Sequence, residues 1–94
     1  MNIRFYIDPE TGRPHIRGHD VSESEVEAVL SRPGEDRPGR DGSRVAIGQT
    51  TRGRCLRVIY VPDSESNGAF VITAYELRGK PLLAYRRRRR RKKP

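Results

Sequence analysis

The stretch from Val21 to Gly34 constrains the fold most, because it holds a start signal, an apolar stripe and a stop signal in order. Ser22 and Glu25 form an S-x-x-E capping box, in which each side chain satisfies a backbone N–H that the first turn leaves without a partner. Val21 and Val26 add a hydrophobic staple across the start. Val26, Val29 and Leu30 recur at i, i+3 and i+4 and mark one buried face, while Glu23, Glu25 and Glu27 set negative charge near the positive end of the helix dipole. Pro33-Gly34 stops the helix. One short helix cannot enclose a core, so most of the remaining apolar surface has to come from strands.

Those residues do follow a period of two. Ile3, Phe5 and Ile7 alternate with Arg4, Tyr6 and Asp8, the pattern of a half-buried strand over residues 2 to 8, and Asp8-Pro9-Glu10-Thr11-Gly12 then turns. Val45 and Ile47 alternate in a second strand. In a third, Leu56, Val58 and Tyr60 share one face, Cys55, Arg57, Ile59 and Val61 take the other, and Pro62 closes the strand. Asp63 to Gly68 reads as a hairpin loop ending in Asn-Gly, and Phe70 to Leu77 is a nearly continuous apolar run suited to a central strand. Residues 34–43 contain no apolar side chain and three glycines, which predicts an exposed loop that joins no core. The expected fold is α+β: a small antiparallel meander of about four strands packed against one main helix. Gly79 breaks the chain, and Pro81, Leu82, Leu83 and Tyr85 open a basic C-terminal segment, helical or disordered, that carries the arginines outward.

With 94 residues, 33% of them hydrophobic, and no Trp, the chain has material for a single modest core. Cys55 is the single cysteine, which excludes an internal disulfide and fits a reducing cytoplasm. No apolar run approaches the roughly 20 residues of a membrane span, and the N-terminal residues alternate rather than forming a signal-peptide core. Charge is the most informative part of the composition. Arg86, Arg87, Arg88, Arg89, Arg90, Arg91, Lys92 and Lys93 supply eight of the 20 basic side chains, and the other basic residues balance the 12 acidic ones, so the net charge of +8 resides in this run. The chain therefore divides into an α+β domain over residues 1–85 and a polybasic tail over 86–94. Such a run repels itself unless a polyanion neutralises it, which makes RNA, or DNA, the expected partner through phosphate contacts. A membrane is not expected, because no adjacent apolar face or lipidation site provides a second attachment.

The order of short motifs resembles a known family. The stretches are His19-Asp20-Val21-Ser22, Val26-Glu27-Ala28-Val29-Leu30-Ser31-Arg32-Pro33, Arg44-Val45-Ala46-Ile47-Gly48-Gln49-Thr50, Leu56-Arg57-Val58-Ile59-Tyr60 and Thr73-Ala74-Tyr75. Over roughly residues 15 to 77 they resemble the BrnT-like group and its DUF4258 relatives, among toxins of RelE-like fold. The resemblance implies a small α+β domain and, for the toxin members, metal-independent cleavage of RNA neutralised by a cognate antitoxin. Gly18-His19-Asp20 stands where the toxins carry Lys-His-Gly, and Thr73-Ala74-Tyr75 where they carry Ser-Ala-Arg. A lysine and an arginine of the toxin pattern are thus absent, and the match to the DUF4258 relatives is the closer one.

Metal-free RNA cleavage needs a base for the 2'-hydroxyl, cations for the phosphorane and an acid for the leaving 5'-oxygen. His19 is the candidate base, since imidazole is the side chain whose ordinary titration falls near neutral pH. Arg44 and Arg57, on adjacent strands, are candidate phosphate binders, and Tyr75 can stack on a base or donate a proton. The competing reading of these arginines, Arg54 included, is cross-strand pairing with acidic residues on a solvated face. His15 and His19 are four apart, but Gly18 lies between them and the one cysteine lies elsewhere, so no metal site and no cofactor are expected. Two other readings stay open: a non-catalytic nucleic-acid-binding module that uses the tail, and a protein-interaction domain that pairs through a sheet edge.

Overall fold

The computed structural model describes residues 2–63, 65 and 67–91. Five strands, β1 (Asn2–Phe5), β2 (Glu35–Pro38), β3 (Arg44–Gln49), β4 (Cys55–Asp63) and β5 (Gly68–Glu76), form one sheet in the order β1-β5-β4-β3-β2. The antiparallel meander expected from the sequence is β3-β4-β5. β2 adds to it antiparallel, whereas β1 pairs parallel to β5, so the sheet is mixed rather than antiparallel throughout. β4 is the middle strand and β5 is interior, flanked by β1 and β4.

The helix α1 (Glu23–Ser31) begins as its sequence prescribes. The Ser22 hydroxyl accepts from the Glu25 backbone N–H at 3.2 Å, and the Glu25 carboxylate accepts from the Ser22 N–H at 3.0 Å. Val26, Val29 and Leu30 pack onto β3 and β4, where Ala46, Leu56, Val58 and Tyr60 join Val71 and Ala74 of β5 in the main core. Ile16, from a 3-10 helix, His15–His19, that lies against β5, and Val21, just after it, complete that core. The two histidines are therefore helical, in a tighter coil than the main helix that follows them. Their rings meet edge-on rather than face to face, 5.2 Å between centroids.

The loop expected over residues 34–43 instead contains β2. An edge strand needs one hydrogen-bonded neighbour and no buried side, so an apolar pattern is not required of it. β2 is pinned by charge: Asp36 accepts from Arg44 Nε at 2.9 Å and from the Tyr60 hydroxyl at 2.6 Å, and Glu35 from Arg37 and Arg88. Burial and the Asp36 carboxylate push the Tyr60 phenol up to about 12. Strand β1 ends sooner than the alternation predicts, at Phe5, after which Ile7 makes a single bridge to Pro14 around the turn at Gly12. β4 runs one residue past Pro62, beyond its last pairing with β3 at Tyr60, which is an edge position where proline is tolerated.

The arginine run is helical as far as it is described. α2 (Gly79–Arg91) lies on the sheet face opposite α1 and does not carry all its arginines outward. Tyr85 is buried there with Ile47, Cys55 and Leu77, and Val45 and Leu82 pack against them. Arg88 Nη2 donates to Glu35 at 3.0 Å and Arg89 Nη1 to the Gly34 carbonyl at 3.0 Å. Two of the presumed phosphate ligands thus hold the helix to the sheet.

Candidate functional site

Alternation along β4 and β5 sets the site. Arg57 and Tyr75 are cross-strand partners and share the face that α2 covers in part. Arg57 Nη1 donates to the Tyr75 hydroxyl at 3.3 Å. The Tyr75 ring meets His19 edge-on at 6.1 Å between centroids, His19 meets His15 at 5.2 Å, and His15 meets Tyr6 at 6.1 Å. His15 is held from below, its backbone N–H donating to the Tyr6 carbonyl at 2.9 Å and its Nδ1 standing 3.7 Å from the Asp8 carboxylate. The 3-10 helix flanks β5 beyond the four residues that pair with β1, which brings His19 to Tyr75.

Two buried polar atoms on this face have no hydrogen-bond partner among the described residues, Arg57 Nε and Thr73 Oγ1. Thr73 lies opposite Ile59, two residues along each strand from the Arg57–Tyr75 pair, and so on the same face. An unpaired buried donor or hydroxyl is costly, which sets these two atoms apart on this face. Arg57 also has no acidic partner among the described residues, and its side chain lines a cleft of about 350 Å³ under α2 with Arg37 and Arg88. Thr73 was not among the residues singled out from sequence. Its signal is the alternation that also selects Tyr75.

Arg44 is not brought to this cluster. It lies opposite Tyr60 in the β3–β4 register, on the α1 face, and its guanidinium is engaged by Asp36 through side chain and backbone. The bond to Asp36 raises its already high pKa. Arg54 is likewise compensated, 2.9 Å from Glu25 and 3.4 Å from Glu76. Cross-strand and cross-element pairing therefore describes Arg44 and Arg54, and Arg57 is the exception. Among the described residues no group of three His, Cys, Asp or Glu side chains is placed to hold a metal ion.

Of the basic run, Arg86, Arg87, Arg90 and Arg91 are exposed, while Arg88 and Arg89 are engaged as above. Lys92 and Lys93 lie outside the described residues. No helix among the described residues is long and apolar enough to cross a membrane.

The DUF4258 family, a domain of unknown function, matches residues 14–76, from the residue before the 3-10 helix to the end of β5. That is more than half of the chain, and the protein belongs to this family. α2 begins beyond the matched region. No curated protein and no solved structure matches the chain.

Proposed function

We propose that this protein is an RNA-directed, toxin-like domain of a type II toxin-antitoxin system that cleaves RNA without a metal. The observation that carries the reading is the contiguity of His19, Tyr75 and Arg57, three residues from separate elements, beside the unpartnered Arg57 Nε and Thr73 Oγ1. In this reading His19 takes the proton from a 2'-hydroxyl, whose oxygen forms a bond to the adjacent phosphorus. Arg57 and Thr73 donate to the phosphorane oxygens, and Tyr75 protonates the 5'-oxygen as the P–O5' bond breaks, leaving a 2',3'-cyclic phosphate and a 5'-hydroxyl. Asp20 gives secondary support to the toxin resemblance: it occupies the left-handed region at φ 59°, where the glycine of the toxins' Lys-His-Gly stretch would sit without strain. The exposed arginines of α2 capture the RNA electrostatically, and a small acidic antitoxin is the expected companion.

The test is incubation of labelled single-stranded RNA with the protein in EDTA, beside His19→Ala, Arg57→Ala and Arg44→Ala. Loss of one phosphorane donor costs about 10²–10³ in rate, so Arg57→Ala should fall by that much, while Arg44→Ala should keep wild-type cleavage. Intact RNA with a salt-sensitive mobility shift would leave the non-catalytic nucleic-acid-binding module, which the four exposed and unengaged arginines of α2 favour independently.

A further inference from the structure

On the side of α2 away from Arg57 lies a second, larger groove of about 960 Å³, walled by α2, the end of α1 and the β3–β4 turn. Its lining includes four arginines, Arg32, Arg86, Arg89 and Arg90, and no acidic residue. Arg32, Arg86 and Arg90 are exposed and make no ion pair or side-chain hydrogen bond among the described residues. The C-terminal end of α1 turns partial negative charge toward the groove, but about half an elementary charge is outweighed by four guanidiniums. We propose that this groove is a binding track for the phosphodiester backbone of single-stranded RNA, with Arg32, Arg86 and Arg90 as its phosphate ligands.

The spacing suits an extended strand. Arg86 and Arg90 are one helical turn apart, about 6 Å along the axis, close to the separation of neighbouring phosphates on an unstacked chain. Arg32, which follows the last residue of α1, lines the opposite wall, so the two walls address the backbone from both sides. Planar guanidiniums without carboxylate partners are available for bidentate phosphate contacts. α2 is then a ridge between two basic clefts: Arg86, Arg89 and Arg90 line the track, whereas Pro81, Ala84 and Arg88 line the cleft of Arg57. The track rests on the RNA-directed reading above and adds a defined path to it. A free polybasic tail would need none of Arg32.

Arg32 therefore decides the matter, because it is outside α2. The experiment measures binding of a fluorescent oligouridylate to the full chain across a salt series, for wild type, Arg32→Glu, Arg40→Glu and Arg86→Ala/Arg90→Ala. Arg40 is likewise an exposed arginine without a side-chain partner among the described residues, in the β2–β3 loop. Arg32→Glu should weaken binding at least tenfold and Arg40→Glu less than threefold. The Arg86/Arg90 variant should lower the slope of log affinity against log salt by about 1.4, from about 0.7 per phosphate contact. Equal losses in Arg32→Glu and Arg40→Glu would overturn the track while leaving RNA binding by net charge in place. No binding by wild type, or preferential retention on phosphatidylserine vesicles, would overturn the RNA reading and the track with it. Arg32 is exposed, and circular dichroism of its variant at the assay temperature verifies that the fold is retained.

Discussion

Gly34 is the position where one added methyl group should disturb the docked helix. A Cβ at Gly34 would lie 2.0 Å from the Tyr85 hydroxyl oxygen, 3.1 Å from Tyr85 Cζ and 3.3 Å from Arg89 Nε. Arg89 can swing aside, but the Tyr85 ring is 5% exposed and fixed against Ile47, Cys55 and Leu77. Restoring an ordinary contact of 3.4 Å means moving that ring, and α2 with it. Overpacking of this kind costs about 1–3 kcal/mol, so Gly34→Ala should lower stability by that amount. The hydroxyl makes no hydrogen bond among the described residues, which makes Tyr85→Phe a clean relief of the clash. With the hydroxyl gone the nearest atom is at 3.1 Å, and a shift of a few tenths of an ångström suffices. Denaturant melts of wild type, Gly34→Ala, Tyr85→Phe and the double variant should give a favourable coupling of about 1–2 kcal/mol. Additive effects would refute the docking of Tyr85 against Gly34.

Two further outcomes follow from the ionic and capping contacts. The Arg88 hydrogen bond, opposed by burial and reinforced by Arg37, holds the Glu35 carboxyl below its ordinary 4.5. A depressed carboxyl contributes stability above its unfolded value and loses it as pH falls through the folded one. Thermal melts should therefore show wild type losing stability below about pH 4.5, with Glu35→Gln less stable by about 1 kcal/mol at neutral pH and flatter in acid. Ser22→Ala should cost about 1 kcal/mol in a denaturant melt, because it removes the hydroxyl that caps the Glu25 N–H.

Legibility in the sequence followed the kind of interaction that made each element. α1 was readable because its cap, stripe and stop are local, and β3 to β5 because each buries one or both faces and so alternates or runs apolar. β2 was not, since charge pairs from Arg44, Tyr60 and Arg88 hold it and those partners are remote in sequence. The docking of α2 was hidden for a related reason: one buried tyrosine and two arginines fix it amid a run whose composition suggests solvent. Within the candidate site, the faces of Arg57 and Tyr75 could be assigned strand by strand. Whether Arg44 joined them depended on the β3–β4 register, which places it opposite Tyr60 and so on the other side. Thr73 needed only the alternation of β5, because it stands two residues before Tyr75 and the slip between Ile59 and Tyr60 falls beyond it.

The parallel pairing of β1 has a kinetic meaning. Asn2 lies opposite Gly68, so this strand reaches its partner only by closing a loop that spans most of the domain, whereas β3, β4 and β5 zip together through short turns. Long-range closure pays its entropy before contacts repay it. Topology therefore predicts that the N-terminal strand joins the meander late, and that the β5 edge it covers stays unpaired until it does. In a growing polypeptide β1 emerges before its partner and has to wait, unpaired, until residues 68–71 have been made.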